Sequence, residues 1–306
     1  MTSAQCLVIL NAQAGTLLEG GVADPAGVVR QAFADAGHAA EVVMADASNI
    51  EEHIARAARS PDHDILVIGG GDGTIGNALA LLAESGKTIG ILPLGTMNLL
   101  GVDLAIPSDL AAAATTLAHA RPARIDLATV NGKPFHTLCG LGFFARVARA
   151  RQGTRLAIPF GRIIGVGWAT LRTVLRSGRM RLTIEADGHR READAYAVLV
   201  TNNSLGPDRR RHRLDDGRIE LHLMHDAHLF GRLRIAFEVM SGRWRESAAI
   251  ESISARTLTI TTRRSRVWCS VDGELARQTT PLTFAVQPGA LSVLMPTPPP
   301  SEAAPR

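Results

Sequence analysis

Ile65-Leu66-Val67-Ile68-Gly69-Gly70-Gly71-Asp72-Gly73-Thr74 is an apolar run that passes into four glycines and one acid. Four consecutive aliphatic residues before glycine read as a buried strand, and the residues after Thr74 carry a helical pattern. The glycines therefore stand where a strand hands over to a helix. Glycine lets a backbone approach a bulky anion and adopt positive φ. The unpaired N–H groups at a helix start, together with the helix dipole, favour phosphate. Asp72 would repel a bare phosphate, so its presence makes sense with a Mg²⁺ or its water shell between them.

Outward from this loop, the first 125 residues or so alternate strands and helices, the grammar of a parallel sheet flanked by helices. Strands are expected at Cys6–Leu10, Ala40–Met44, Asp64–Ile68 and Thr88–Leu92. Helices are expected at Pro25–Ala36 with Asp24 as its cap, Ile50–Arg59 capped by Ser48 or Asn49, Thr74–Glu84, and an Ala-rich stretch from Ser108 to Ala120. From Arg124 short alternating runs take over: Arg181–Glu185, Tyr196–Thr201, Ile219–Met224, Thr257–Thr262, Arg266–Val271, Leu282–Val286 and Leu291–Met295. Turns at Asp187-Gly188, Asp216-Gly217 and Asp272-Gly273 separate several of them. Helices are expected at Phe160–Arg176 and His228–Met240. The fold class is thus an α/β N-terminal domain, residues 1–125, and a mostly β C-terminal domain, residues 126–295, with strands or the terminus expected to return to the first domain. Residues 296–306 form a Pro-rich tail expected to be disordered.

Composition narrows the function classes. The chain has 306 residues, 46% of them apolar, and a net charge of +4. Lys87 and Lys133 are the only lysines, so the positive charge is almost all arginine. That balance fits anionic partners. Nucleic acid is disfavoured, because only 4% of residues are aromatic and no stacking motif stands out. No stretch reaches the roughly 18 apolar residues of a membrane span. Cys6, Cys139 and Cys269 fit neither a disulfide framework nor a metal site, which suggests a reducing compartment and buried thiols. His222 and His225 read as strand-surface residues.

Two other readings of the glycine loop are weaker. Gly71, Gly73 and Gly76 fit the dinucleotide pattern G-x-G-x-x-G, but after the third strand and without an acid closing the fourth. Gly86-Lys87-Thr88 looks like the end of a Walker A loop, yet Leu81 stands where that motif needs glycine.

Beyond the loop, several further segments carry a family pattern. They are Leu92-Pro93-Leu94-Gly95-Thr96-Met97-Asn98, Leu214-Asp215-Asp216-Gly217 and Val271-Asp272-Gly273-Glu274. Asn11-Ala12-Gln13-Ala14-Gly15 and Arg124-Ile125-Asp126 add to them. With Gly70-Gly71-Asp72-Gly73-Thr74, and in this order, they resemble the diacylglycerol kinase catalytic family, the bacterial lipid kinases related to sphingosine and ceramide kinases.

The resemblance implies a phosphofructokinase-like α/β domain, a β-sandwich domain and an active site in the cleft between them. It assigns Asn11, Gly15, Gly70, Gly71, Asp72, Gly73, Thr74, Gly95, Thr96 and Asn98 to ATP. Glu274 becomes the general base on a lipid hydroxyl, with Asp72 as a second catalytic acid. A structural Mg²⁺ is implied near Asp216, with main-chain oxygens of Arg213 and Arg218. A water-linked catalytic Mg²⁺ network is implied around Asp72 and Asp126. Phosphoryl transfer rests on positioning and charge neutralisation, which suits this set.

The chain departs from the family at several places. Leu99 stands where an Asp is usual, Asn77 where the loop helix carries an acid, and Ala12 where the opening motif has Pro. Met44-Ala45 lacks the family Thr, and Gly142-Phe143-Phe144-Ala145 replaces Gly-Phe-Asp-Ala. The hallmark loop and Glu274 survive, which favours an active kinase over a relic that only binds nucleotide or lipid. An NAD kinase shares the Gly-Gly-Asp-Gly loop, but Pro93–Asn98 and Val271–Glu274 argue against it.

The expected partner is a lipid alcohol at a membrane surface, with pairing of two copies left open. The expected place is the cytoplasm, at the inner membrane face. Phe160–Arg176 would set Ile164, Trp168, Leu171 and Leu175 on one face and Arg162, Arg172 and Arg176 on the other. Packing on the sandwich suits it better than lying on a bilayer. The run Arg209-Arg210-Arg211-His212-Arg213 reads as a solvated loop or a headgroup contact.

Overall fold

The chain divides into two compact units, Met1–Ile125 with Gly289–Arg306, and Asp126–Pro288. The computed structural model describes residues 6–19, 22–154, 178–225 and 241–296, together with 231, 234, 235, 237 and 238. The expected helix Phe160–Arg176, most of His228–Met240 and the tail beyond Pro296 lie outside the described residues.

The first unit runs β1 (Cys6–Asn11), α1 (Gly15–Glu19), α2 (Pro25–Asp35), β2 (Ala40–Ala45), α3 (Ile50–Arg59), β3 (Ile65–Gly70), α4 (Asp72–Leu82), β4 (Thr88–Pro93), α5 (Leu99–Asp103) and α6 (Leu110–Ala118). Strand order is β2-β1-β3-β4, all parallel, and the last strand of the described residues pairs with β4 through Ser292 and Val293. β1, β3 and β4 are buried along nearly their whole length, as strands covered by helices on both faces must be. Asp24 caps α2, taking the Gly27 N–H at 2.8 Å. The Ala-rich helix is capped by Asp109, not Ser108. The Asp109 carboxylate accepts the Ala112 N–H at 2.9 Å, and a charged acceptor suits a helix start better than a hydroxyl. α4 begins at Asp72, two residues before the expected Thr74, because Asp72 and Gly73 already form its first turn.

The second unit continues with β5 (Arg121–Val130), β6 (Lys133–Phe135), β7 (Leu138–Gly142), α7 (Phe143–Thr154), β8 (Met180–Ala186), β9 (His189–Ala195), β10 (Ala197–Asn202) and β11 (Ile219–Met224). A 3₁₀ turn (Trp244–Glu246), β12 (Ile250–Ala255), β13 (Thr257–Thr262), β14 (Arg266–Val271), β15 (Glu274–Thr279) and β16 (Leu282–Met295) complete it. One sheet orders β16-β13-β8-β9, with β5 also paired to β16 and β6 paired to β5; the other orders β12-β11-β10-β7-β14-β15. Alternate residues of both sheets meet in one core. Phe135, Ile184, Ile260 and Phe284 come from the first sheet, and Leu141, Val200, Leu221 and Cys269 from the second. The rings of Phe135 and Phe284 stand edge to face, 6.2 Å apart. This is an antiparallel sandwich.

Two expectations change here. Leu282–Val286 and Leu291–Met295 are one strand, β16, that carries the chain back to the first unit. Gly289, at φ 58°, lets the strand continue past Pro288. Asp216-Gly217 is no hairpin turn; it closes the long connection between β10 and β11. Asp187-Gly188 and Asp272-Gly273 do form tight turns between paired strands, with both residues at positive φ.

Candidate active site

In the first unit β1 leads to β2 on one side and β3 leads to β4 on the other. The order reverses between β1 and β3, and an open parallel sheet binds ligands at the carboxyl ends beside such a reversal. Three loops meet there. Asn11, buried at the end of β1, donates its Nδ2 to Thr74 Oγ1 at 3.1 Å, tying the first loop to the start of α4. Its Oδ1 accepts the Gln13 N–H and shapes its own loop. The third loop joins through the backbone, since the Leu94 N–H donates to Gly70 O and the Thr16 N–H to Leu94 O.

The glycines fit this closeness. A Cβ on Gly95 would stand 2.6 Å from Gly71 Cα, and one on Gly70 would stand 2.6 Å from Thr74 Cβ. Gly71 is the N-cap residue of α4 and offers no side chain. The first-turn N–H groups of an eleven-residue helix therefore meet no side-chain cap. Beside them Gly15 opens α1 with free space where a Cβ would be. This is the arrangement that receives phosphate oxygens.

Asp72 does something its neighbours in sequence do not reveal. Its Oδ2 accepts the Asn98 N–H at 3.0 Å and its Oδ1 accepts the Leu99 N–H at 2.7 Å. The acid caps α5 and bolts the Pro93–Asn98 turn to the glycine loop. Asn98 sits at φ 48° and closes that turn. Its Oδ1 takes the Gly95 N–H at 2.7 Å and its Nδ2 donates to Gly95 O at 2.8 Å. A carboxylate has about four lone-pair sites, so two remain on Asp72 for a cation or its waters. Thr96 is exposed at the tip of the turn.

Glu274, Asp126, Arg213, Asp216 and Arg218 belong to the second unit. Glu274 is exposed and opens β15, opposite Val271. Its hairpin is anchored by Asp272, a residue to which the sequence reading gave a place in a turn and a motif but no role of its own. The buried carboxylate of Asp272 accepts the N–H groups of His136, Thr137 and Leu138 at 2.8, 2.8 and 2.9 Å. No local signal could find this, because the partners lie more than 130 residues away. Asp126 is 2% exposed. Its Oδ2 accepts the Gly217 N–H at 2.7 Å and Asn203 Nδ2 at 2.6 Å, so it pins the Leu214–Arg218 turn. Asp216 in that turn lies 3.2 Å from Arg213 Nε, and Arg218 O accepts the Asn203 N–H. Among the described residues no three His, Cys, Asp or Glu side chains gather around a common point.

Other expectations are corrected. Arg211 is 1% exposed and donates to His136 O, Asn202 O and Thr137 Oγ1, so the centre of the Arg209–Arg213 run is core structure. His222 is also 1% exposed, packed edge-on against Trp244 and bonded through Nδ1 to Ser252 Oγ. It sits 3.4 Å from Glu220, whose carboxylate takes the Leu205 N–H and Arg245 Nη2. Burial works against ionisation of Glu220, yet His222, the Leu205 N–H and Arg245 hold its pKa down at about 2. All three cysteines are buried and unpaired with one another as disulfides, and burial pushes the Cys6 thiol up to about 12.

The diacylglycerol kinase catalytic domain family matches residues 5–130, and the YegS C-terminal NAD kinase beta sandwich-like domain matches residues 137–295. A diacylglycerol kinase of Bacillus subtilis (strain 168) is 28% identical over 225 residues, 70% of this chain and 72% of that protein. A diacylglycerol kinase of Staphylococcus saprophyticus is 28% identical over 184 residues, 56% of this chain and 59% of that protein. The crystal structure of a diacylglycerol kinase from Bacillus anthracis str. Sterne superposes with a TM-score of 0.70 at 18% identity, covering 97% of this chain and 98% of that one. Another structure from the same organism reaches 0.77 at 21%, over 97% and 99%. At those identities the structures speak for the fold. With its glycine loop set in the first matched domain and its sandwich in a second match that alone spans just over half of the sequence, the chain belongs to the diacylglycerol kinase catalytic-domain family of lipid kinases.

Proposed function

We propose that the protein is a lipid kinase that transfers the γ-phosphoryl group of ATP, with Mg²⁺, to a hydroxyl of a membrane lipid alcohol. The observation that carries this reading is the loop cluster at the β1/β3 reversal, where α4 begins without a side-chain cap. The N–H groups of Asp72, Gly73 and Thr74 would hold phosphate oxygens, and Gly15, Gly95 and Thr96 would border the nucleotide. The donor set fits a hydrated divalent cation. Asp72 keeps two acceptor sites after binding the Asn98 and Leu99 N–H groups. Such a cation would neutralise charge that builds on the transferring phosphoryl oxygens. Asp126 would join it through water, and Asp216 with the Arg213 and Arg218 carbonyls would hold the structural ion. Glu274, exposed and held by the Asp272 anchor, would take the proton of the acceptor hydroxyl as its oxygen attacks phosphorus and ADP departs.

The test is transfer from labelled ATP to a panel of lipids in mixed micelles, for wild type beside Asp72→Ala and Glu274→Ala. A labelled lipid made by wild type and lost in both variants supports the proposal and names the acceptor. ATP binding without transfer to any lipid would refute it. It would favour a relative that binds nucleotide or lipid without catalysis, or a soluble acceptor such as NAD.

A further inference from the structure

Trp268 is 42% exposed on β14, an unusual place for so large an apolar side chain. Two guanidinium groups cover it in part, Arg149 of α7 at 4.6 Å from the ring centroid and Arg277 of β15 at 6.0 Å. Arg277 is the cross-strand partner of Trp268. Successive residues of a strand alternate faces, so Arg266, Trp268 and Ser270 share one face of the hairpin with Leu275, Arg277 and Thr279. That face carries no carboxylate. Arg263 and Arg264, both exposed, stand in the turn leading into β14, where Thr262 and Thr280 hydroxyls bind Arg264 O. Among the described residues none of Arg149, Arg263, Arg264, Arg266 and Arg277 has a carboxylate within ion-pairing distance, whereas Arg181, Arg191, Arg213, Arg218, Arg234, Arg243 and Arg245 of the same unit do. β15 is the edge strand of its sheet, so the patch faces outward at the sheet's border.

We infer that this edge, with Arg149 and Arg277 over the Trp268 ring and Arg263, Arg264 and Arg266 farther along the same hairpin, is the surface by which the protein docks on an anionic bilayer. Charge complementarity selects a polyanion. The indole selects a bilayer, because tryptophan settles at the level of lipid headgroups with its N–H in water and its ring against the acyl boundary. A single-stranded nucleic acid platform instead uses several stacked aromatics, and this face has one. The choice of a bilayer rests on the lipid acceptor proposed above. Docking by the second unit would bring the protein to the phase that contains its acceptor, which no helix of the described residues is long and apolar enough to cross.

The experiment is co-sedimentation with vesicles of phosphatidylcholine alone or mixed with phosphatidylglycerol, without ATP. Each arginine near an anionic surface changes partitioning about fivefold. The exposed triple variant Arg263→Gln, Arg264→Gln, Arg266→Gln should therefore bind mixed vesicles on the order of a hundredfold more weakly. The triple variant Arg30→Gln, Arg56→Gln, Arg59→Gln, with the same change of net charge on helices of the first unit, should bind like wild type. Mixed vesicles should shift tryptophan emission to the blue in wild type and far less in Trp268→Phe. Equal losses in the two triple variants, equal binding to neutral vesicles, or an unchanged emission shift in Trp268→Phe would overturn the inference. So would an oligonucleotide that displaces the vesicles. Because binding is read without ATP, docking as expected with no phosphate transfer overturns the proposed function and leaves the docking surface standing.

Discussion

Asp72 is asked to do two things, and substitution can separate them. Its carboxylate accepts the Asn98 and Leu99 N–H groups at 3.0 and 2.7 Å, joining the glycine loop to α5. Hydrogen bonds to a charged group contribute about 1.5–3 kcal/mol each, and losing a cap side chain costs about 0.5–2 kcal/mol. α5 has only five residues and can loosen, so the two bonds will not add fully. Asp72→Ala is expected to destabilise the first unit by about 2–4 kcal/mol. Asp72→Asn keeps one acceptor oxygen and turns an NH₂ toward the other N–H, at about 1–2 kcal/mol. If the charge also serves phosphoryl transfer, the Asn variant, though folded, should lose about a hundredfold in turnover. All three tryptophans lie beyond residue 125, so unfolding of this unit is best followed by circular dichroism or by amide exchange at Asn98 and Leu99. An Ala variant with an unshifted midpoint and unchanged exchange would refute the cap. An Asn variant with full turnover would refute the chemical role.

Gly95→Ala puts a Cβ 2.6 Å from Gly71 Cα, which cannot move as a side chain would, so it should part the two loops at about 1–3 kcal/mol and weaken binding of an ATP analogue in calorimetry; unchanged affinity would count against the loop cluster as the nucleotide site. Asp272→Ala leaves three buried N–H groups without their acceptor and should cost the second unit about 3–5 kcal/mol, read from tryptophan fluorescence in denaturant, while a change under about 1 kcal/mol would show that the anchor matters little. Glu220 is held at about 2 in the folded chain against its ordinary 4.5, so it stabilises the fold above the higher value and that contribution is lost as pH falls toward the lower one. Glu220→Gln should lower stability at neutral pH and flatten its decline between these two pH values; an unaltered acid limb in a pH series of melting curves would refute this.

The parallel half of the fold was legible because β1, β3 and β4 are largely aliphatic runs closed by asparagine, glycine and proline, and because period and cap agree, as at Asp24 and α2. β16 was not, since Gln287-Pro288-Gly289 carries every local mark of a break, and only pairing on both sides of it shows one strand. α5 was invisible because five residues hold no period, and what starts it is an acid 27 residues earlier. Arg211 and His222 were misplaced for the same reason. Burial of a polar group depends on partners such as His136 O and Ser252 Oγ, which sequence spacing does not encode. The glycine loop itself was readable down to its residues, because close backbone approach leaves a compositional trace.

Three of the acids within the motifs, Asp72, Asp126 and Asp272, share one physical habit that their motifs conceal. Each takes backbone N–H groups of a turn: Asn98 and Leu99, Gly217, and His136 through Leu138. A carboxylate is the strongest acceptor a side chain can offer to such groups, so tight turns that must be held in one conformation recruit it whether or not a cation is near. The presence of an acid in a motif therefore argues first for a fixed turn. What distinguishes a chemical role is acceptor capacity left over after the turn is satisfied, and exposure to reach a substrate. By that criterion Asp126, 2% exposed and tied to Asn203 and Gly217, is first a turn anchor, and its proposed link to a cation would run through water. Asp72 keeps half its acceptor sites beside an uncapped helix start. Glu274 is exposed, displayed by a hairpin whose own acid is spent on anchoring it.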